Sequence, residues 1–141
     1  MRTATPLRQK GRFGRRNGNT IVESAFCFLP IMLIFFAIMD FGMGIYAYNF
    51  VSYAAREGSR FAASRGAQST SPATADSIRD KIRSQAIALD TAQVSVATTW
   101  NPNNTPGNSV TVAVSYPVSP LIGLFLGKIT VGASSTMPIA Q

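Results

Sequence analysis

Residues 21–39 read IVESAFCFLPIMLIFFAIM, an apolar run interrupted by Glu23 and Ser24. As an α-helix this stretch covers about 28 Å at 1.5 Å per residue, close to the hydrocarbon thickness of a bilayer. The run is therefore read as a membrane span over about residues 21–39. Its flanks set the orientation. Arg2, Arg8, Lys10, Arg12, Arg15 and Arg16 precede it, whereas only Arg56, Arg60 and Arg65 follow it closely. Cationic side chains are retained on the cytosolic side, so the N-terminus is expected in the cytosol of a cytoplasmic (inner) membrane and the C-terminal part outside it. Tyr46, Tyr48 and Tyr53 come next, where amphipathic rings suit the far interface.

The net charge of +7 has the same origin. From Asn19 onward seven basic residues face six acidic ones, so the excess lies in the leader and calls for no nucleic-acid partner. Histidine is absent and carboxylates are few, which removes the usual general base and the commonest metal ligand together. The chain is expected to be no enzyme, with no cofactor, no metal and no small-molecule substrate. Its single cysteine, Cys27, lies inside the apolar run, so no intramolecular disulfide can staple the exported part.

Beyond the span, residues 40–64 (DFGMGIYAYNFVSYAAREGSRFAAS) contain no proline and continue the helical pattern. One helix from about Thr20 to Ser64 would be about 68 Å long. At 100° per residue Gly44, Ala47, Val51, Ala54, Gly58 and Ala62 form a stripe of small residues along it, a face that something packs against closely. Either the chain's own sheet or second helix, or another subunit, could fill that role. Arg56 and Arg60 project elsewhere, and Pro30 should remove one ladder hydrogen bond within the span.

Residues 66–75 read as a polar loop, and a modest amphipathic helix follows, with Ile78, Ile82, Ala86 and Leu89 on one face. Strand signals then take over. Val94, Val96, Thr98 and Trp100 alternate with polar or small neighbours, as do Val110, Val112, Val114 and Tyr116, with the turn cluster NPNNTPGN between them. Residues 128–137 supply a third strand through Ile129, Val131 and Ala133. The predicted fold is α+β: a long N-terminal transmembrane helix, a short helix and a three-stranded antiparallel sheet. Its parts are a basic leader (1–18), a long helix (19–65) and a small exported domain (66–141).

Gly18 precedes Glu23 by five residues, directly ahead of the apolar run, in RRNGNTIVES. The order of basic leader, Gly, four residues, Glu and apolar helix resembles the processing site of type IV pilins and pseudopilins. That resemblance implies a prepilin peptidase as partner and a scissile bond between Gly18 and Asn19. An extended, unencumbered glycine is easy for a protease to seat. It also implies that Glu23 meets the new N-terminal amine of a neighbouring subunit. A carboxylate in a bilayer centre costs about 2.5–3.5 kcal/mol on insertion scales, so Glu23 requires either such a partner or a hydrated place near the interface.

Farther along, YNFVSYAAREGSRFAA at residues 48–63 resembles the TadE-like family of pseudopilins from tight adherence (Tad, or Flp) pilus systems. Those proteins carry a Glu-containing membrane segment, an aromatic stretch and an Ala-Ala-Arg-Glu-Gly-Ala-Arg-like segment. Here the last reads Ala54, Ala55, Arg56, Glu57, Gly58, Ser59, Arg60. Ser24 stands where pilins often have an aromatic residue. The resemblance implies a minor pseudopilin whose partners are other pilin or pseudopilin subunits, the inner-membrane assembly platform and membrane lipid. An uncleaved single-span envelope anchor with an exported interaction domain is the alternative. A secretory signal peptide fits less well, because no small-x-small site closes the apolar run. Leu121, Ile122, Leu124, Phe125 and Leu126 form a further apolar cluster, either part of a small domain's core or a docking patch for another subunit or the bilayer.

Overall fold

The computed structural model describes residues 17–120 and 127–140, with side chains from Thr20 onward. In chain order it contains α1 (Asn17–Ala63), α2 (Ala75–Ser84), a 3-10 turn (Thr91–Gln93), β1 (Ser95–Asn101), β2 (Ser109–Val118) and β3 (Ile129–Pro138). This is the α+β arrangement that the sequence predicts. The chain divides into two compact units, residues 1–35 and residues 36–141.

Within the first unit, residues 17–35 belong to α1, and from Ile21 onward its apolar side chains face outward, Phe26 at 83% and Leu29 at 64% exposure. Ser24 folds its hydroxyl back, donating to the Thr20 carbonyl at 2.8 Å, so it adds no free polar group to this surface. Pro30 lies inside the helix. Gly18 sits in the first turn of α1 rather than in extended chain. Such a turn has few intrahelical partners for its N–H groups and opens at little cost.

The second unit is built around the C-terminal half of α1. Sheet order is β1-β2-β3, all antiparallel, so β2 is central. Strand alternation gives β2 two unlike faces: Val110, Val112 and Val114 are fully buried, while Thr111 and Ala113 between them are not. Those valines meet Val51, Ala54, Ala55 and Ala62 of α1, Ile78 and Ile82 of α2, and Val94, in one hydrophobic core. Each fully buried Val or Ile contributes roughly 1.5–3 kcal/mol relative to exposure, so the central strand and α2 carry much of the stability. Because the core takes its helical side from residues 51–63, a cut at residue 65 or 66 would separate the sheet from the helix it packs on.

The short helix is capped as its sequence allows. Thr74 Oγ1 accepts from the Ser77 N–H at 3.2 Å, and Ser77 Oγ accepts from the Thr74 N–H at 2.9 Å, a reciprocal capping box. It ends at Ser84, which corrects the expectation that Ala86 and Leu89 extend its apolar face. The Gln85 and Ala86 N–H groups bond three residues back, to Ile82 and Arg83, and Ala88 turns the chain with φ of 60°. Leu89 is still buried, but from the turn that follows. Tyr46 Oη fastens this turn to α1 by donating to the Ile87 carbonyl at 2.6 Å. At the other end, the Ala140 N–H donates to the Ala63 carbonyl at 2.9 Å, so the residue after the sheet returns to the end of α1.

Candidate assembly site

The small-residue stripe divides in two. Ala47, Val51, Ala54 and Ala62 are wholly buried, and Gly58 is buried with them. For Val51, Ala54, Gly58 and Ala62 the packing partner is the chain's own second helix and sheet. A Cβ placed on Gly58 would stand 2.9 Å from Ile82 Cδ1 and 3.1 Å from Val112 Cγ1, so glycine here sets how closely α1 approaches both elements. Gly44 differs. It is half-buried, and no atom lies within 4 Å of a Cβ built on it.

The Ala54–Arg60 segment separates by helical phase. Ala54, Ala55, Gly58 and Ser59 face the core, whereas Arg56 and Arg60 are exposed. Arg60 Nη2 lies 2.9 Å from Glu57 Oε2, an i,i+3 pair on the helix surface whose worth is a few tenths of a kcal/mol. Arg65 stacks its guanidinium 4.5 Å from the Phe61 ring centroid. The segment is thus a packing element on one side and a charged surface on the other. Ser59, which the sequence reading passed over, is the one buried polar side chain among the described residues. Its hydroxyl donates to the Arg56 carbonyl at 3.0 Å and lies 2.9 Å from Ser135 Oγ.

N-terminal to this packed stretch, Phe41, Gly44, Ile45 and Tyr48 line a cavity of about 610 Å³ whose other wall is Val118, Ile129 and Val131. Its helical wall follows i, i+3, i+4 and i+7 spacing and also includes Asp40. Leu121, Ile122, Leu124, Phe125 and Leu126 lie outside the described residues. Glu23 is exposed on α1, and Gly18 and Asn19 are in its first turn.

The architecture is that of a small α+β domain sharing a helix with an exposed apolar segment, and α1 from Thr20 to Ala63 is long and apolar enough to cross a membrane. Residues 18–60 match the family model of TadE-like proteins. The match begins at Gly18, contains Glu23, ends at Arg60 and lies wholly within α1. Neither a curated protein nor a solved structure matches the chain.

Proposed function

We propose that the chain is a minor pseudopilin, a structural subunit and not an enzyme, that acts in assembly of a Tad-type pilus. It is inserted with its N-terminus in the cytosol and its C-terminal domain exported, is cut by a prepilin peptidase between Gly18 and Asn19, and joins other pilin subunits at the inner-membrane assembly platform. The observation that carries this reading is the placement of Gly18 and Glu23 at the head of an exposed apolar helix, within the residues that match TadE-like proteins. The fold supports a structural role. Its exposed apolar segment and the helical wall of its core are parts of one helix, α1.

Intact mass of the membrane-extracted protein tests the proposal. With the cognate peptidase active, the chain should begin at Asn19, and Gly18→Leu should retain Met1. A wild-type chain that keeps residues 1–18 would instead be an uncleaved anchor.

A further inference from the structure

The two edges of the sheet are unequal. β1 lies beside α2, and Arg83 Nη2 reaches the Val94 carbonyl just ahead of it at 3.4 Å. β3 forms the opposite edge, pairs with β2 through ten consecutive positions without a bulge, and has no second strand partner among the described residues. Its sequence, ITVGASSTMP, contains no charged residue, and its one proline is the last residue. Long edge strands are usually blunted by lysine, proline, a bulge or a covering element, because their free N–H and C=O groups template another strand. Here the strand interior carries none of the sequence devices, proline standing only at its last residue and Lys128 just ahead of its first.

We propose that β3 is a strand-addition edge for β3 of a second copy of this chain, which joins two sheets into one of six strands. The free edge presents backbone donors and acceptors at every second residue, and another extended backbone satisfies such a row in full. Self-pairing is favoured by the residues on it. With no charges on β3, no like charges come to lie opposite one another when the strand meets its own copy. The core-side residues of β3 gain cover as well: Ile129 is 51% exposed, and Val131 and Met137 are only partly buried at this edge. An isologous pair brings the same apolar row from the second copy against them. On the opposite face Thr130, Gly132, Ser134 and Thr136 are exposed and small, so nothing bulky opposes the approach. This inference rests on the sheet alone and is independent of processing at Gly18.

Thiol crosslinking of the full chain in membranes tests it, with Cys27→Ser as background and a short bis-maleimide as probe. Ser134 is near the middle of β3, so in the antiparallel pair that sets the two apolar rows on one face Ser134→Cys lies close to its copy. Side chains directly opposite are about 5 Å apart and diagonal ones about 7–8 Å, within the probe's reach. Ser134→Cys should give several-fold more crosslinked dimer than Thr99→Cys, which is exposed on the other edge strand. A second variant, Thr136→Lys in the Ser134→Cys chain, should lower that yield several-fold while circular dichroism shows unchanged thermal unfolding. Equal crosslinking from Ser134→Cys and Thr99→Cys, or a dimer yield indifferent to Thr136→Lys, would overturn the proposal.

Discussion

Ser59 Oγ lies 2.9 Å from Ser135 Oγ, a hydroxyl contact that joins the buried face of α1 to β3 across 76 residues of sequence. The same hydroxyl lies 3.0 Å from the Arg56 carbonyl, so one side chain ties the helix turn and the strand together. A buried hydrogen bond of this kind contributes roughly 0.5–1.5 kcal/mol, and leaving one hydroxyl unpaired costs more than removing both. Ser59→Ala and Ser135→Ala should each lower stability by about 1 kcal/mol, and the double variant should lose less than their sum. Chemical denaturation of the four proteins in detergent gives the coupling directly. Strict additivity would remove the hydroxyl pair from the account of the fold.

Gly58 makes a sharper prediction, because two effects oppose each other there. Alanine gains about 1 kcal/mol of helix propensity over glycine. Its Cβ, however, would meet Ile82 Cδ1 at 2.9 Å and Val112 Cγ1 at 3.1 Å. The isoleucine terminus can swing aside, whereas a β-branched valine in the central strand is stiff. Gly58→Ala should therefore change stability by no more than about 1 kcal/mol. Gly58→Leu cannot be accommodated by one rotamer change and should destabilise by about 1–3 kcal/mol or more. Thermal unfolding that ranks leucine equal to alanine would show that α1 can retreat from the sheet.

These two residues also show what the sequence could and could not disclose. Period-two alternation in residues 110–116 and the small-residue period in α1 are local patterns, and both are legible because a strand or helix imposes them whatever it packs against. The contact between Ser59 and Ser135 is not local, and nothing in either segment names the other. The small stripe is equally ambiguous, since Ala and Gly admit a sheet or a foreign helix alike. The structure resolves it by burying Ala54 and leaving Gly44 open. The C-terminal boundary of α2 was misread because Ala86 and Leu89 keep helical spacing after the backbone has turned. For the proposed processing site, order along the chain alone singles out Gly18 and Glu23. The cavity wall was not legible, because its other half, Val118, Ile129 and Val131, comes from strands far along the chain that nothing in residues 41–48 names.

Asp90 yields a prediction in pH. Its Oδ2 accepts from Gln93 Nε2 at 2.8 Å and its Oδ1 from the Ala92 N–H at 3.0 Å. The Gln93 amide first, and the Ala92 N–H second, hold the carboxyl below its ordinary value of 3.8. A depressed folded value means that the contribution to stability is complete above the unfolded value and is lost as pH falls through the folded one. Gln93→Ala should move the Asp90 titration upward, toward 3.8. Carboxyl chemical shifts followed by NMR through the acid range measure this, and an unmoved titration would exclude the amide as its main cause.

The last prediction separates folding from association along α1. Ala54 is fully buried in the core, so Ala54→Leu overfills a packed site and should cost about 1–3 kcal/mol of stability. Gly44 has no atom within 4 Å of a Cβ position and lines the cavity between α1 and the sheet. Gly44→Leu should leave stability within about 0.5 kcal/mol of wild type, or raise it slightly through helix propensity. If the open part of the stripe receives another subunit's helix, as small residues in membrane helices allow, Gly44→Leu should reduce co-purification with pilus subunits while the domain still unfolds at its normal temperature. Arg56→Ala, on the exposed side, serves as the control and should affect neither. Loss of stability in Gly44→Leu would mean that the cavity closes on that glycine. Normal stability with normal co-purification would confine the role of the stripe to the fold, from Ala47 to Ala62.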